Sequence, residues 1–219
     1  MTFLDLQNLT AFWLDDLQFG YFTSTQVKLW LNNAQKELQK RLIKAGANYY
    51  VKGVQTSLVI SQRDYVLPED FKKLNRLEIV VSGSNPNESV TSLKEITLNQ
   101  QDLVSTGVGT PAVYTIKRNR LILRPAPDTA LNLRMEYTYQ VTDMVLDTDI
   151  PDCPDSYHEY IALLACQDGF IKDGRLSALL DKKIKDYERD LDADADERAE
   201  DAPRMIVETG SDFPGGLIF

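Results

Sequence analysis

The chain has 219 residues, 43% of them apolar, and carries a formal net charge of −9 with a pI near 4.7. The acidic balance argues against general nucleic-acid binding, which needs Lys and Arg to displace counterions from phosphates. No apolar run approaches the ~20 residues of a membrane span, and the N-terminus shows no signal peptide. Two cysteines make no disulfide framework. We therefore expect a soluble protein of a reducing compartment, large enough for one large domain or two small ones.

Apolar residues at three- and four-residue spacing predict two helices in the first part of the chain. The first begins near Phe3 and ends near Gly20. The second begins at the capping residues 23–25 and ends at Gly46, since a glycine is a natural helix stop. The apolar stripe of the second helix comprises Val27, Trp30, Leu31, Ala34, Leu38, Leu42 and Ala45.

A period of two replaces the helical period after residue 49. Residues 131–141 alternate between apolar and polar side chains, which predicts a long strand with one buried and one wet face. Two shorter strands, at 114–116 and 121–123, precede it and are separated by turn residues. We interpret these three strands as an antiparallel meander with the long strand last. Other strands are expected within 50–60, 77–81 and 93–98, with a loop at 82–89 and a helical turn at 99–104.

Two more amphipathic helices follow an acidic, proline-containing connection at 143–155. Ser156 and Glu159 fit a capping box that would begin the first of them, and Gly174 would end it. Two such helices joined by a short glycine turn predict an αα-hairpin. The predicted stripes are Tyr157, Tyr160, Ile161, Leu164, Ala165 and Ile171, then Leu176, Leu179, Leu180, Ile184, Tyr187 and Leu191.

The fold class predicted from these elements is α+β. It consists of N-terminal helices, a central antiparallel β-domain, a C-terminal αα-hairpin and an extended C-terminal tail. We place the boundaries at 1–48 for the helical segment and 49–150 for the β-domain. Residues 151–200 form a helical hairpin that packs with the N-terminal helices, and residues 201–219 form an arm.

The arm is unusual because it is apolar after an acidic run. Chain ends are normally polar and frayed, and apolar surface with nothing of its own to cover suggests docking on another chain. Folding back onto the protein's own β-domain is the alternative. The apolar residues of the arm are Met205, Ile206, Val207, Phe213, Leu217, Ile218 and Phe219.

Two groups of aspartates could hold a cation, but neither has a convincing pattern. One group resembles an EF-hand loop, yet it lacks the glycine at position 6 and the glutamate at position 12, so we interpret it as a solvated helix end. The other group lies in a loop between a strand and a helix, where acidic residues are common without a metal. The first group is Asp190, Asp192, Asp194, Asp196 and Asp201; the second is Asp143, Asp147, Asp149 and Asp152.

No other motif predicts a catalytic or cofactor site. His158, Cys153 and Cys166 supply one ligand fewer than zinc needs, and the spacing of Cys153 and His158 marks no nucleophile–base pair. The sequence at 107–109 fits neither nucleotide fingerprint. The densest basic cluster, at 117–120, is expected to be a solvated hairpin tip that could pair with an acidic partner surface. We predict no enzyme activity, no metal and no cofactor.

A set of turn motifs occurs in a characteristic order along the chain. That order resembles the head-to-tail adaptor (connector, head-completion) proteins of tailed bacteriophages, over roughly residues 1–190. The motifs are Tyr65-x-Leu67-Pro68-x-Asp70-Phe71, Pro111-x-x-Tyr114, Leu121-x-Leu123-x-Pro125-x-Pro127-Asp128, Leu133-x-x-x-Tyr137 and Asp149-x-Pro151-x-x-Pro154-x-x-Tyr157.

The resemblance implies a structural virion protein at the head–tail junction, assembled in the host cytoplasm. It implies a homo-oligomeric ring, twelve-fold to match the portal, that binds portal and tail proteins. Such a ring extends the DNA channel, helps to retain packaged double-stranded DNA and serves DNA ejection. It has no reaction to catalyse and no contact with a membrane. A tail-completion or tail-tube terminator protein is the alternative, and a metal-dependent hydrolase is a more distant one.

Two sets of residues would carry this role. Leu217, Ile218 and Phe219 would anchor the arm in a groove on the portal or on a neighbouring subunit. A lumen lined by carboxylates would repel phosphate and let DNA slide, with plain solvent exposure as the alternative. The candidate lining residues are Asp181, Asp186, Asp190 and Asp194.

Overall fold

The computed structural model describes residues 1–46, 48–82, 89–97, 100, 107–175 and 177–200, without the side chains of 81, 82 and 194–200. The predicted arm at 201–219 lies outside the described residues. Most of the predicted loop at 82–89 and of the predicted turn at 99–104 also lies outside them.

Helices occupy the two ends of the described chain. A capping box in which Thr23 and Gln26 exchange hydrogen bonds begins the second helix, and Gly174, at φ +69°, ends the third, as predicted. The helices are α1 Phe3–Trp13, α2 Ser24–Lys44, α3 His158–Asp173 and α4 Ala178–Glu200.

The predicted end of α1 at Gly20 is wrong, because the helix already ends at Trp13. The chain then turns, with Asp15 and Phe19 in the left-handed region at φ 57° and 52°. The Asp16 carboxylate accepts hydrogen bonds from the backbone N–H groups of residues 20–22, at 2.7–3.0 Å. An aspartate that bonds the backbone beyond it competes with the helix, so the helix ends earlier than its apolar period suggests.

The predicted capping box of Ser156 and Glu159 is also wrong. A short 3-10 turn at Asp155–Tyr157 comes first, and α3 begins at His158 without a side-chain cap. Glu159 instead binds α4, where it accepts hydrogen bonds from Lys183 and from the Tyr187 hydroxyl. An ion pair with a neighbouring helix has therefore taken the place of a local cap.

Strands occupy the middle of the chain and form two sheets. One sheet has the order β1-β8-β3-β4 and the other has the order β2-β7-β6-β5. Paired neighbours are antiparallel except β5 and β6, which are parallel. The strands in the described residues are β1 Val51–Ser57, β2 Asp64–Val66, β3 Phe71–Ser82, β4 Ser89–Ser92, β5 Lys94–Glu95, β6 Val113–Lys117, β7 Arg120–Arg124 and β8 Asn132–Tyr139.

The predicted meander is wrong at its last strand. β6 and β7 form the expected hairpin, but β8 lies in the other sheet, where Met135 is opposite Val54 of β1 and Leu77 of β3. Both edges of β7 are already filled, by β2 and β6, so that strand has no edge left for β8. The alternation along β8 is nevertheless as predicted, with Leu133 and Tyr137 buried.

The two sheets pack face to face around an apolar core. Buried side chains of both sheets meet in one cluster, which is the arrangement of a β-sandwich. We call this region the β-sandwich. Its buried residues are Leu58, Leu67, Leu77, Ile79, Leu93, Tyr114, Leu121, Leu123, Leu133, Met135 and Tyr137.

A second core joins the helices from both ends of the chain. It includes Phe3 of α1, Leu31 and Leu38 of α2, Ile161 of α3 and Ile184 of α4, each at most 4% exposed. We call this region the helical body. The division of the chain into domains at residues 48, 150 and 200 stays a prediction.

A row of carboxamides on α2 holds the segment that leaves β8. Asn32 both donates to the carbonyl and accepts from the N–H of Met144, at 3.1 and 2.8 Å. Gln35 donates to the Thr142 carbonyl at 2.9 Å, and Gln39 donates to the Tyr139 carbonyl at 2.7 Å. Backbone that has left a sheet lacks ladder partners, and these side chains supply partners at Thr142 and Met144. The row therefore joins the β-sandwich to the helical body.

Candidate interaction surfaces

The acidic connection between β8 and α3 is held by its own aspartates. Asp143 pairs with Lys36 at 2.6 Å, and Asp147 pairs with Lys28 at 3.0 Å and accepts from Gln7 at 3.3 Å. The Lys28 ammonium, followed by the Gln7 amide, lowers the pKa of Asp147. Carboxylates that already bind protein cations and amides have a structural role in the connection.

Asp149 and Asp152, the other two aspartates of the group considered as cation ligands, also have protein partners. Asp149 accepts the backbone N–H groups of Val145 and Leu146, at 2.7 and 2.8 Å. Asp152 accepts a hydrogen bond from Tyr139, and burial, followed by this bond, raises the pKa of Tyr139 to about 12. In the part of the chain that the structure describes, no group of three or more His, Cys, Asp or Glu could hold a metal ion.

The same connection presents apolar side chains to solvent on a fixed backbone. Val145 is 72% exposed and Leu146 is 64% exposed, and the Asp149 carboxylate fixes the turn that carries them. The carbonyl of Asp149 accepts the N–H of Phe3 at 2.7 Å, so the turn is also tied to the first turn of α1. The two side chains are therefore exposed apolar groups on a fixed turn. The sequence analysis missed this surface, which the spacing of Asp149 behind two apolar residues could have indicated.

His158 is buried at the start of α3 and faces the N-terminus. Its Nδ1 lies 2.8 Å from the Met1 amine, and its Nε2 lies 3.6 Å from the Asp155 carboxylate. Burial, followed by the charge of the Met1 amine, lowers the pKa of His158. The imidazole is therefore neutral at pH 7, and it contacts a cation rather than a nucleophile.

Both cysteines are free and are placed as packing residues. Cys166 lies in the helical core, where burial raises the pKa of its thiol to about 12. Cys153 is partly buried against the same core, and burial raises the pKa of its thiol to about 12 as well. Thiols with raised pKa values are poor nucleophiles, because the thiolate is the reactive form.

The predicted basic tip is a two-residue hairpin turn between β6 and β7. Lys117 is opposite Arg120, so Arg118 and Asn119 form the turn, and Arg118 has a φ of +56°. All four residues are exposed. Together with Val66, which is 71% exposed, they line a shallow groove of about 630 Å³.

The candidate channel-lining residues lie on α4. Asp181, Asp186 and Asp190 are exposed, whereas the side chain of Asp194 lies outside the described residues. Arg189 approaches the carboxylates of Asp186 and Asp190, at 3.8 and 3.5 Å. The surface of α4 around Asp186 and Asp190 therefore mixes carboxylates with a guanidinium. The arm residues 205–207, 213 and 217–219 lie outside the described part of the chain.

The described surface therefore offers an apolar turn on a fixed backbone, a basic tip and an acidic helix. A helix with the length and apolar content required to cross a membrane does not occur in the described residues. A family model described as SU10 adaptor protein matches residues 1–207. The chain belongs to this family, which is a family of phage head–tail adaptors. No curated protein matches the chain.

Family membership confirms the resemblance found in the sequence. It implies a structural bacteriophage protein of the virion that interacts with head or tail proteins. A structural adaptor family also implies a binding role rather than catalysis. The α+β class is likewise confirmed, with four helices and two sheets in the described residues.

Proposed function

We propose that this protein forms a homo-oligomeric ring that attaches to the portal and joins the capsid to the tail. The observation that carries the proposal is the match of residues 1–207 to a head–tail adaptor family. A twelve-fold ring would match the symmetry of the portal. In this position the ring extends the DNA channel, helps to retain packaged DNA and conducts it during ejection.

The C-terminal arm is the proposed attachment to the portal or to a neighbouring subunit. Its anchors are Leu217, Ile218 and Phe219, together with Met205, Ile206, Val207 and Phe213. An arm that becomes ordered on its partner loses conformational entropy, but it can cover a large surface with few residues. The acidic residues at 192–201 support this role, because they separate the apolar residues of the arm from Leu191, which belongs to the helical body.

The carboxylates of α4 are the proposed lining of the channel. Asp181, Asp186 and Asp190 are exposed, and a negative lumen repels phosphate so that DNA slides without binding. Asp194 follows Asp190 by four residues on the same helix, whose backbone is helical to Glu200.

Native mass measurement of the chain mixed with its portal protein tests the ring. We expect twelve copies of the chain for each portal ring. A complex with another ratio corrects the stoichiometry, and no complex at all overturns portal attachment. Binding to tail proteins without binding to portal would instead favour a tail-completion or tail-tube terminator protein.

Deletion of residues 203–219 tests the arm. We expect the shortened chain to keep its helical circular dichroism and its thermal transition, because the described core uses residues 3–191. Attachment to portal should be lost. A matched variant, Leu217→Ser with Ile218→Ser and Phe219→Ser, keeps the length of the arm and should lose attachment too. Normal attachment of both variants would discard the arm as the anchor.

A further inference from the structure

The two sheets of the β-sandwich have very different edge strands. An edge strand presents unpaired N–H and C=O groups, and proteins keep such edges from pairing by making them short or by placing charges on them. The sheet β2-β7-β6-β5 has both devices, because β2 has three residues, β5 has two, and charged side chains occur in each. The sheet β1-β8-β3-β4 lacks them, with seven residues in β1, four in β4 and a single charged residue, Lys52, in the two strands together. Its two edges are therefore suited to accept further strands.

The strand β1 is uncovered on both faces as well as along its edge. Residues 52–57 are all exposed, whereas Leu77 of β3 in the same sheet is buried. The Lys52 ammonium is engaged within the chain, since it pairs with Asp70 at 2.8 Å and lies 3.9 Å from the centre of the Tyr139 ring. Within the part of the chain that the structure describes, no other backbone pairs with the outer edge of β1 or of β4. Both edges are therefore open and carry no free charge.

The bonds at the ends of the two edge strands show which residues direct their backbone groups outward. Leu58 donates its N–H to the Leu131 carbonyl at 2.7 Å, and Leu93 donates to the Leu77 carbonyl at 3.0 Å. Alternate residues of an antiparallel strand direct their N–H and C=O groups to opposite sides. The outward groups belong to Val51, Gly53, Gln55 and Ser57 of β1, and to Val90 and Ser92 of β4.

We propose that β1 of one copy of this chain pairs with β4 of a second copy. Neighbouring strands of this sheet alternate in direction, so β1 and β4 run in opposite directions. A second copy that places its β4 beside β1 therefore extends the sheet by an antiparallel pair. Addition of a strand to an open edge is a recurrent mode of recognition, in which main-chain hydrogen bonds supply affinity. The proposal rests on the ring proposed above and names the contact that links its subunits.

The two edges fit the geometry of a ring. The two outward residues of β4 can exchange about four backbone hydrogen bonds with two outward residues of β1. The contact joins two different surfaces of identical chains, and such a heterologous contact closes a ring when the rotation permits. Pairing of β1 with a second β1 is the alternative. That contact is isologous, so it ends in a dimer and leaves β4 unused.

Proline substitutions at outward positions test the contact. Gln55→Pro removes an outward N–H from β1, and Val90→Pro removes one from β4, while the bonds to the neighbouring strand of the same sheet remain. Self-association, alone and with portal, is measured by native mass and sedimentation velocity. We expect each variant to weaken self-association at least about tenfold, because proline removes a donor and its ring blocks the approach of a second strand.

A matched control places the same substitution on the other sheet. Leu67 donates its N–H to the Asn119 carbonyl at 3.2 Å, so Val66 directs its own N–H to the outer edge of β2. Val66→Pro therefore removes an outward N–H from an edge strand that the proposed contact does not use. It should associate as the wild-type chain does.

Mixing the two proline variants distinguishes the pairing of β1 with β4 from the pairing of like strands. Gln55→Pro keeps an open β4, and Val90→Pro keeps an open β1. Neither should associate by itself, whereas the mixture should form a dimer that cannot grow further. A Val90→Pro chain that dimerises by itself would show that β1 pairs with β1, and this overturns the proposal.

Amide hydrogen exchange of the wild-type chain tests the same contact without a substitution. Peptides that cover residues 51–57 and 89–92 should exchange at least about tenfold more slowly in the associated form than in the free chain, because their outward N–H groups gain partners. Peptides that cover residues 64–66, at the edge of the other sheet, should exchange alike in both forms. If circular dichroism shows that a proline variant is unfolded, this measurement decides.

Failure of this contact is distinct from failure of the ring. Folded proline variants that associate like Val66→Pro overturn the contact, and so does unchanged exchange at residues 51–57 or 89–92 on association. A twelve-fold complex with portal would leave the ring proposal standing in either case. A wild-type chain that associates neither alone nor with portal overturns both proposals.

Discussion

The helical body and the β-sandwich bury polar groups for different reasons. In the helical body, Gln35 and Gln39 are at most 1% exposed, and they donate to the backbone carbonyls of Thr142 and Tyr139, beyond β8 and at its last residue. In the β-sandwich, the strands pair with one another, and its most buried charged group, Glu78, pairs with Arg76 at 2.5 Å. A helix satisfies its own backbone, so its side chains are free to bind the backbone of another segment.

This difference places the link between the two halves on α2. The carboxamides of Asn32, Gln35 and Gln39 follow the extended segment from Met144 back to Tyr139. Tyr139 also lies beneath the Lys52 ammonium, 3.9 Å from its ring centre, and Lys52 pairs with Asp70 at 2.8 Å. We therefore expect the two halves to unfold together rather than one at a time.

Substitutions in the two cores should have the largest effect and test this coupling. Leu38→Ala in the helical body and Leu123→Ala in the β-sandwich each empty a fully buried site, at a cost of about 3 kcal/mol. The only tryptophans, Trp13 and Trp30, are in the helical half, so their fluorescence reports on that half alone. We expect Leu123→Ala to shift the urea transition seen by tryptophan as much as Leu38→Ala does. An unmoved tryptophan transition in Leu123→Ala would show two independent halves.

The link itself should contribute less than a core residue. Gln39→Ala removes the donor to the Tyr139 carbonyl and an acceptor for Lys72, and should lower the free energy of unfolding by about 2 kcal/mol. Gln55→Ala on the exposed strand β1 serves as the control and should stay within about 0.5 kcal/mol. Urea denaturation measures both. Equal values for the two variants would show that the Gln39 carboxamide does not stabilise the link between the two halves.

Substitutions of glycine should have opposite effects on stability in the two halves. Gly174→Ala, at the end of α3, places a side chain at φ +69° and should cost about 1 kcal/mol. Gly53→Ala in β1 has ordinary backbone and open space for its Cβ, so it should be neutral or stabilise the protein by about 0.5 kcal/mol. Thermal unfolding of the two variants measures the contrast. A loss of stability in both would mean that β1 is more tightly packed than its exposure indicates.

Acid should destabilise the protein by protonating the carboxylates that hold turns. We expect this effect on stability to be smaller than those of the substitutions above. Hydrogen bonds from the N–H of Phe22, followed by those of Gly20 and Tyr21, lower the pKa of Asp16 against the opposing effect of burial. A lowered pKa in the folded state means that this stabilisation is complete above about pH 4 and is lost as the pH falls below that value. Asp16→Asn should therefore reduce the difference between urea midpoints measured at pH 6 and pH 3. An unchanged difference would assign the acid sensitivity to other carboxylates.

Sequence reasoning succeeded where the signal is local. The caps at Thr23 and the glycine at 174 were predictable because a turn or cap depends on a few adjacent residues. It failed at Glu159, which fits a capping box in the sequence but binds Lys183 and Tyr187 on α4. A local capping bond of modest strength was replaced by contacts with α4. The residues of α4 lie outside the four-residue pattern that predicts a capping box.

The candidate interaction surfaces were predictable in part. The basic cluster at 117–120 was visible as a run of charges, and the structure places it at a hairpin tip as expected. The apolar turn at Val145 and Leu146 was missed, because two apolar residues in an acidic stretch have no periodicity. Its rigidity comes from Asp149 and from the contact with α1, whose first turn is far away in the sequence.

The sequence by itself determined which segments are helices and strands and which side of each one is apolar. These properties follow from the side-chain period of 3.6 or 2, which is set by the backbone of the segment alone. Only the tertiary structure decided which segments became neighbours, as when β8 joined β1 and β3 instead of β7. Many apolar faces are equally suitable for one strand, so the choice depends on which edges remain free and on what else must be buried.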